Sequence, residues 1–270
     1  MKWREFIVSG RSADLYCREA GSGAPLVMIH GAACDSDYFF AAAEILAASR
    51  RVILYDRRGY GRSTGGDARY PDRLSLCAEH ASDLAAVVNT AGGRADICAC
   101  SVGAVIALHL AASKPEMIAR LIVHEPPLSE FIPAGHHIFE DNAYISKIKA
   151  VSFAKAYSRF LTTQGEADER AKPLGDEEIE MVEHNGEHYF AAEQEHIYSR
   201  RNHLPVLPSN LRISIGLGER SIGGDCEICT KKLAEVCLRQ VIPFPGGHNA
   251  AREIPSGFAA IIEGILALDL

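Results

Sequence analysis

The 270-residue sequence has one tryptophan, few aromatic residues (7%) and no apolar run long enough to cross a bilayer. Basic residues are also in the minority, 28 Lys and Arg against 35 Asp and Glu, which gives a formal net charge of −7. No basic stripe with interleaved aromatics is present, so nucleic acid is not an expected partner. These absences predict a small-molecule substrate, no nucleic acid and no membrane, and a monomer or homodimer.

The first residues, Met1–Glu5, lack the apolar segment of a secretory signal, and a cytoplasmic location is the default expectation. A chain of this length does not need a disulfide framework to fold, although it has eight cysteines. One isolated pair, Cys226 and Cys229, has CxxC spacing without a second pair, which is weak evidence for zinc. We therefore predict neither a metal nor a cofactor. The other cysteines lie in apolar patterns and are predicted to be small core residues: Cys17, Cys34, Cys77, Cys98, Cys100 and Cys237.

The most informative stretch is the apolar run that starts at Asp96, breaks at Ser101 and continues as a helical pattern from Val105. Ala99 and Gly103, two residues before and after the serine, are both small. A nucleophile elbow needs this arrangement, because the strained strand-to-helix turn crowds both positions. The turn would expose the serine hydroxyl and point the first helical N–H groups, starting with Val102, at an oxyanion formed above it.

Two other interpretations of this stretch need to be weighed. Cys100 could be the nucleophile, since thiolates attack more readily than hydroxyls. A turn centred on Cys100 would crowd Cys98 and Val102, and neither is small, so Ser101 is favoured. Ser101 could also be an ordinary helix N-cap between a buried strand and a helix.

The rest of the chain alternates between short apolar runs and amphipathic segments, which predicts an α/β fold with a mostly parallel, doubly wound sheet. The run ending at Ile29 is followed by His30-Gly31-Ala32, and the Ala32 N–H is a candidate oxyanion donor. The loop 56–63 lacks the lysine of a phosphate loop and is predicted to be a tight turn held by pairing of Asp56 with an arginine. Predicted strands are 4–8, 13–19, 25–29, 51–55, 120–124, 211–217 and 240–244; predicted helices are 36–49, 75–90, 226–236 and 254–268.

The last predicted strand ends at Gly246-Gly247-His248, where two glycines would let the loop fold inward toward a neighbouring strand. Together with His30-Gly31, the loop 56–63 and the elbow, this order and spacing resembles the α/β-hydrolase superfamily. The resemblance implies that His248 is the base that accepts the proton of Ser101. The sequence departs from the superfamily pattern at Ala99, where glycine is usual.

In the superfamily, the acid that orients the histidine most often follows the strand that ends here at Leu217. Ser221 stands at that position and cannot serve, while Glu219 is early and Asp225 is late. Some members, the haloalkane dehalogenases among them, take the acid from the place where Glu125 stands here. Glu125 is therefore the favoured acid and Glu219 the alternative, with Asp225 or no acid left open.

Residues 127–206 change pattern and resemble the helical cap that superfamily members insert after this strand, which would roof the site. Residues 1–126 and 207–270 would then form the hydrolase core. Residues 164–172 are predicted to be a charged link, and Asp176 is predicted to cap a further helix. His184, Glu187 and His188 match an HxxEH zinc pattern, but Gly186 and the acidic surroundings favour a solvated helix face. Three polar residues are likewise predicted to be exposed, with contact of one of them to a substrate from above left open: Glu193, Glu195 and His196.

These residues together predict a serine hydrolase that cleaves a small, largely apolar ester, thioester or lactone through an acyl-enzyme. Ser101, His248 and Glu125 would be catalytic, and Ala32 and Val102 would supply the oxyanion hole. The same groups can hydrolyse carbon–carbon bonds of diketone-like substrates, and the fold also serves non-catalytic small-molecule receptors. The sequence leaves both alternatives open.

Overall fold

The computed structural model describes residues 1–65, 69–140, 145, 147, 149, 152–163, 175–199 and 202–268. Their centre is an eight-stranded sheet in the order β1-β2-β4-β3-β5-β6-β7-β8. The β1–β2 and β2–β4 pairs are antiparallel and all other pairs are parallel, which confirms the predicted fold class. The strands are β1 (Arg4–Ser9), β2 (Asp14–Ala20), β3 (Pro25–Ile29), β4 (Arg51–Tyr55), β5 (Ala95–Cys100), β6 (Ile118–His124), β7 (Ile213–Gly218) and β8 (Val241–Phe244).

The central strands are buried on both faces because helices cover the sheet on either side. Every residue of β5 is buried, as expected for a continuous apolar run in a parallel sheet. The helices are α1 (Phe40–Leu46), α2 (Arg73–Thr90), α3 (Val102–Ser113), α4 (Phe153–Thr163), α5 (Asp176–His188), α6 (Gln194–Ile197), α7 (Asp225–Cys237), α8 (Ala250–Glu253) and α9 (Pro255–Ala267). No helix in these ranges is both long and apolar enough to cross a membrane.

The segment 127–206 contributes α4, α5 and α6, and a π-helical turn, Tyr189–Glu193, joins α5 to α6. The predicted charged link 164–172 lies outside the described residues. Asp176 is the first residue of α5 rather than its cap, because Gly175 has the extended backbone of the N-cap position. The predicted helix 36–49 is split into a 3-10 turn, Ser36–Phe39, and α1.

The prediction of a solvated surface is wrong at His188, whose side chain is only 9% exposed, and at Glu193. Glu193 is completely buried, whereas the sequence placed it on a solvated face. Its carboxylate forms an ion pair with Arg57, which is also completely buried. The predicted pairing in the loop after β4 is present, since Arg62 Nε donates to Asp56 Oδ2 at 2.8 Å.

All eight cysteines are free thiols, and five of the six predicted core cysteines are buried. Cys237 is half-buried near the end of α7. Cys226 and Cys229 have different partners: the Cys226 Sγ lies 3.4 Å from His248 Nδ1, and the Cys229 thiol donates to the Leu128 carbonyl. The CxxC pair therefore does not converge on a shared position.

Candidate active site

Ser101 lies at the sharp turn between β5 and α3, with φ 53° and ψ −127°. L-residues rarely adopt a positive φ, and such strain persists only where the surroundings enforce it. Here the Ser101 N–H donates to the His124 carbonyl at 2.9 Å, which ties the turn to the end of β6. The side chain makes no capping hydrogen bond to the helix, so Ser101 does not act as an ordinary N-cap.

Two glycines close to Ser101, Gly103 and Gly31, lie in tight surroundings. A Cβ at Gly103 would be 2.5 Å from the His30 carbonyl oxygen and 2.6 Å from that of Ile29. Gly31 is equally close on the other side, since a Cβ there would lie 2.8 Å from the Ser101 Cβ. The backbone after β3 therefore passes directly against the turn that carries Ser101.

Gly103→Ala is expected to lower the free energy of unfolding by about 2 kcal/mol or more, because its Cβ would overlap two backbone oxygens that cannot rotate away. Gly264→Ala is the matched control: Gly264 also lies in a helix, α9, but a Cβ there meets no atom within 4 Å. That substitution is expected to stabilise by about 0.5–1 kcal/mol. Urea unfolding measures both, and equal midpoints for the two variants would contradict the crowding argument.

Glu125 follows β6 directly, and its carboxylate contacts His248. Glu125 Oε2 lies 2.7 Å from His248 Nδ1, and Oε1 accepts a 2.7 Å hydrogen bond from the Gly218 N–H. Glu125 is completely buried and has φ 51°. Burial acts to raise the pKa of this carboxyl, but the imidazoles of His124 and His248 and the hydrogen bond from His248 outweigh it, and the pKa falls to about 2. The carboxylate is therefore ionised at neutral pH.

The other candidate acids lie elsewhere. Glu219 is exposed in the 3-10 turn after β7. Asp225 is buried at the start of α7, where its Oδ1 lies 3.2 Å from His136 Nδ1. Ser221, which stands at the usual acid position, is buried, and its hydroxyl also lowers the pKa of Glu125. The Glu125 carboxylate, which follows β6, therefore lies close to the usual acid position, which follows the adjacent strand β7.

Ser101 and His248 line the same small cavity, together with Gly31 and Ala32. Its volume of about 10 Å³ has room for about one water molecule. Tyr157, on α4 of the inserted segment (127–206), also lines the cavity.

The sequence did not identify two of the residues that shape this cavity. The Tyr38 hydroxyl donates to the His248 carbonyl at 3.1 Å and so holds the loop that carries the histidine. Tyr157 approaches from far along the chain, and its hydroxyl lies 3.7 Å from the Cys34 Sγ. No local pattern marks either contact. Helical spacing around Tyr157 was the available signal, and it indicated a core position.

Cys100 lies at the end of β5 and is buried. Burial, with hydrogen bonding from Cys98, raises the pKa of its thiol well above the ordinary value. A buried thiol that stays protonated is a poor nucleophile. The turn geometry and this electrostatic environment both favour Ser101.

The HxxEH residues diverge. His184 is exposed, with Nε2 3.4 Å from the Gly61 carbonyl oxygen, whereas the His188 ring packs edge-on against Tyr60. Two other sets of side chains bring three possible metal-ligand atoms within 4.8 Å of one another: Glu125, Cys226 and His248, and His136, His137 and Asp225. In the first set, the 2.7 Å contact of Glu125 with His248 is a hydrogen-bond distance, which suits proton transfer.

Comparisons with known proteins agree with the observed fold. The chain is 26% identical over 242 residues to an uncharacterized hydrolase, YraK, of Bacillus subtilis, covering 88% of this chain and 86% of YraK. It is 31% identical over 180 residues to the putative carbamate hydrolase RutD of Azorhizobium caulinodans, covering 65% and 64% of the two chains. A solved structure of a thermophilic esterase from Thermogutta terrifontis superposes with a TM-score of 0.74 at 20% identity, covering 97% of this chain and 98% of the esterase. The pattern of the alpha/beta hydrolase family matches residues 26–211. The chain belongs to the alpha/beta hydrolase family.

Proposed function

We propose that this hydrolase is a serine hydrolase that cleaves a small, largely apolar carboxylic ester, thioester or lactone through an acyl-enzyme. The observation that carries the proposal is the 2.7 Å contact between Glu125 Oε2 and His248 Nδ1, beside a cavity that His248 shares with Ser101. These residues are far apart in the sequence, and their convergence around a strained serine fits the requirements of acyl transfer.

In the proposed mechanism, the Ser101 Oγ attacks the substrate carbonyl while His248 takes its proton. The ionised Glu125 accepts a hydrogen bond from Nδ1 of His248, which fixes the orientation of the ring and stabilises the imidazolium cation that forms. The backbone N–H groups of Ala32 and Val102 donate to the oxyanion, each contributing about 3 kcal/mol to transition-state stabilisation. The leaving group takes the proton from His248, and water activated by the same histidine then releases the acyl group.

Hydrolysis at a carbonyl is supported by the relatives and by the surroundings of Ser101. The small cavity beside Ser101 leaves little room for water, which strengthens charge stabilisation there. Relatives or structural neighbours carry the names esterase and putative carbamate hydrolase, both of which describe hydrolysis at a carbonyl. A carbamate therefore belongs in the substrate panel.

Labelling with a fluorophosphonate probe, followed by peptide mapping, tests the proposal. We expect stoichiometric labelling on Ser101 and turnover of at least one short chromogenic ester, thioester, lactone or carbamate. A probe adduct on Cys100 would overturn the assignment of Ser101 as the nucleophile. Turnover of a diketone and of no ester, thioester, lactone or carbamate would show that the reaction is carbon–carbon hydrolysis. Absence of both labelling and turnover would indicate a non-catalytic receptor.

A further inference from the structure

The proposed mechanism does not use a completely buried ion pair that links the inserted segment to the loop after β4. Arg57 Nη1 and Nη2 donate to Glu193 Oε1 and Oε2 at 2.8 Å and 3.0 Å, and both side chains are completely buried. Arg57 lies in the loop after β4, while Glu193 ends the π-helical turn of the inserted segment. The pair therefore joins the sheet's loop to the segment that covers the site.

Stability alone does not account for this pair. Desolvation of two charges offsets much of their attraction, and apolar replacements of a buried pair are often neutral or stabilising. The π-helical turn that carries Glu193 is itself an uncommon conformation, found frequently at functional sites. Further contacts fix both partners: His80 Nε2 lies 3.1 Å from Glu193 Oε1, and the Arg57 guanidinium stacks 4.3 Å from the centre of the Tyr60 ring.

The Arg57 guanidinium also contacts the peptide that carries the candidate oxyanion donor. Arg57 Nη2 also donates to the Gly31 carbonyl at 3.0 Å. That carbonyl belongs to the same planar peptide unit as the Ala32 N–H, the candidate oxyanion donor. In a trans peptide the C=O and N–H point in opposite directions, so fixing the Gly31 oxygen also fixes the direction of the Ala32 hydrogen.

His30 makes a second contact with the same carbonyl. Its Nε2 accepts the Arg57 backbone N–H at 2.9 Å, so the neutral ring carries its proton on Nδ1, which donates to the Gly31 oxygen at 3.0 Å. Burial lowers the pKa of His30 to about 3, which keeps the ring neutral at neutral pH. Two donors on one carbonyl polarise the peptide and strengthen its N–H as a donor.

We propose that Arg57 and Glu193 are positioning residues for the oxyanion hole. Glu193, carried by the inserted segment, holds the Arg57 guanidinium on the Gly31 carbonyl, and this contact directs the Ala32 N–H toward the developing oxyanion. The inference rests on the proposed serine-hydrolase function. Its consequence is that the direction of the Ala32 N–H depends on a carboxylate that comes from the inserted segment.

The test replaces the pair by apolar side chains of similar length, Arg57→Met with Glu193→Met, so that neither charge is left buried alone. We expect a folded protein whose kcat falls by about tenfold to a hundredfold, with KM within about threefold, since the lost interaction acts in the transition state. Affinity for a trifluoromethyl ketone, which forms an oxyanion on the serine, is expected to weaken by the same factor as kcat. If this double variant does not fold, Glu193→Gln serves in its place, with a smaller loss expected in both measurements.

A second buried ion pair in the same loop provides the matched control. Arg58 Nε and Nη2 donate to Asp83 Oδ2 and Oδ1 at 2.6 Å and 2.7 Å, and within the described part of the chain neither side chain hydrogen-bonds to Gly31. Arg58→Met with Asp83→Met should therefore leave kcat and inhibitor affinity within about twofold. Equal losses in the two double variants, a change confined to KM, or unchanged kcat in the folded Arg57 and Glu193 variant would each overturn the inference. Failure of the wild-type protein to turn over or label would instead refute the proposed function.

Discussion

Replacing Ser101 by alanine is expected to lower kcat by about 10⁵-fold, because the hydroxyl that attacks the substrate is lost while the oxyanion donors remain. Fluorophosphonate labelling should disappear with it. The fold should survive, since alanine removes one oxygen and leaves the backbone hydrogen bond from the Ser101 N–H to the His124 carbonyl in place. We expect the free energy of unfolding to change by about 1 kcal/mol or less. Initial rates on the best ester of the panel and urea unfolding measure the two effects.

Two further variants make this result specific. Ser113→Ala removes a hydroxyl at the far end of α3, where it donates to the His109 carbonyl, and should leave kcat within about twofold. Cys100→Ala removes the neighbouring thiol, and the probe should still label Ser101. Residual activity of Ser101→Ala near that of the wild type, or labelling lost in Cys100→Ala alone, would contradict a serine nucleophile.

The sheet could be predicted from the sequence because its central strands have a distinctive composition. Strands buried on both faces read as continuous apolar runs, and runs such as 25–29 and 51–55 match β3 and β4 residue for residue. Element ends were less accurate. The helix predicted over 36–49 ends at Leu46 in the structure. The N–H groups of Ala48 and Ser49 bond to carbonyls three residues earlier, which is the pattern of a tight turn and not of an α-helix.

Glu193 could not be predicted, for two physical reasons. Its partner Arg57 is 136 residues away, and no local pattern reports a pairing at that separation. The π-helical turn Tyr189–Glu193 also widens the helix, so the 3.6-residue period used to assign a buried face no longer applies there. A glutamate in an acidic helical segment then reads as solvent-exposed, although it is completely buried.

The sequence could rank the candidate acids for orienting His248, but it could not show which carboxylate points toward the histidine. Glu125 and Glu219 both follow strands that end at the same edge of the sheet, so both were candidates. Their difference arises from side-chain direction. The Glu125 carboxylate points to the Gly218 N–H and the His248 ring, whereas Glu219 faces solvent. Only the path of the chain after β6, with a positive φ at Glu125, gives that direction.

Glu125→Gln is expected to lower kcat by about 10³- to 10⁴-fold while the fold is retained. The amide oxygen can still accept the Gly218 N–H, which turns the amide nitrogen toward His248 Nδ1. A donor at that position requires Nδ1 to accept, so the ring proton moves to the nitrogen that must take the Ser101 proton. Glu219→Gln, at an exposed position, should leave kcat within about twofold. A larger loss in Glu219→Gln than in Glu125→Gln would transfer the role of the acid to Glu219.

The same substitution should also change the pH dependence of stability. The pKa of Glu125 is lowered from 4.5 to about 2 in the folded protein, so its ionised form contributes stability that is fully present above pH 4.5. As the pH falls from 4.5 toward 2, the unfolded chain takes up a proton that the folded chain does not, and this contribution is lost. Glu125→Gln lacks the titrating group, so over this interval its free energy of unfolding should fall less steeply than that of the wild type. Urea midpoints measured at about pH 6 and about pH 3 test the difference, and parallel pH curves for the two proteins would show that the pKa of Glu125 is not lowered in the folded protein.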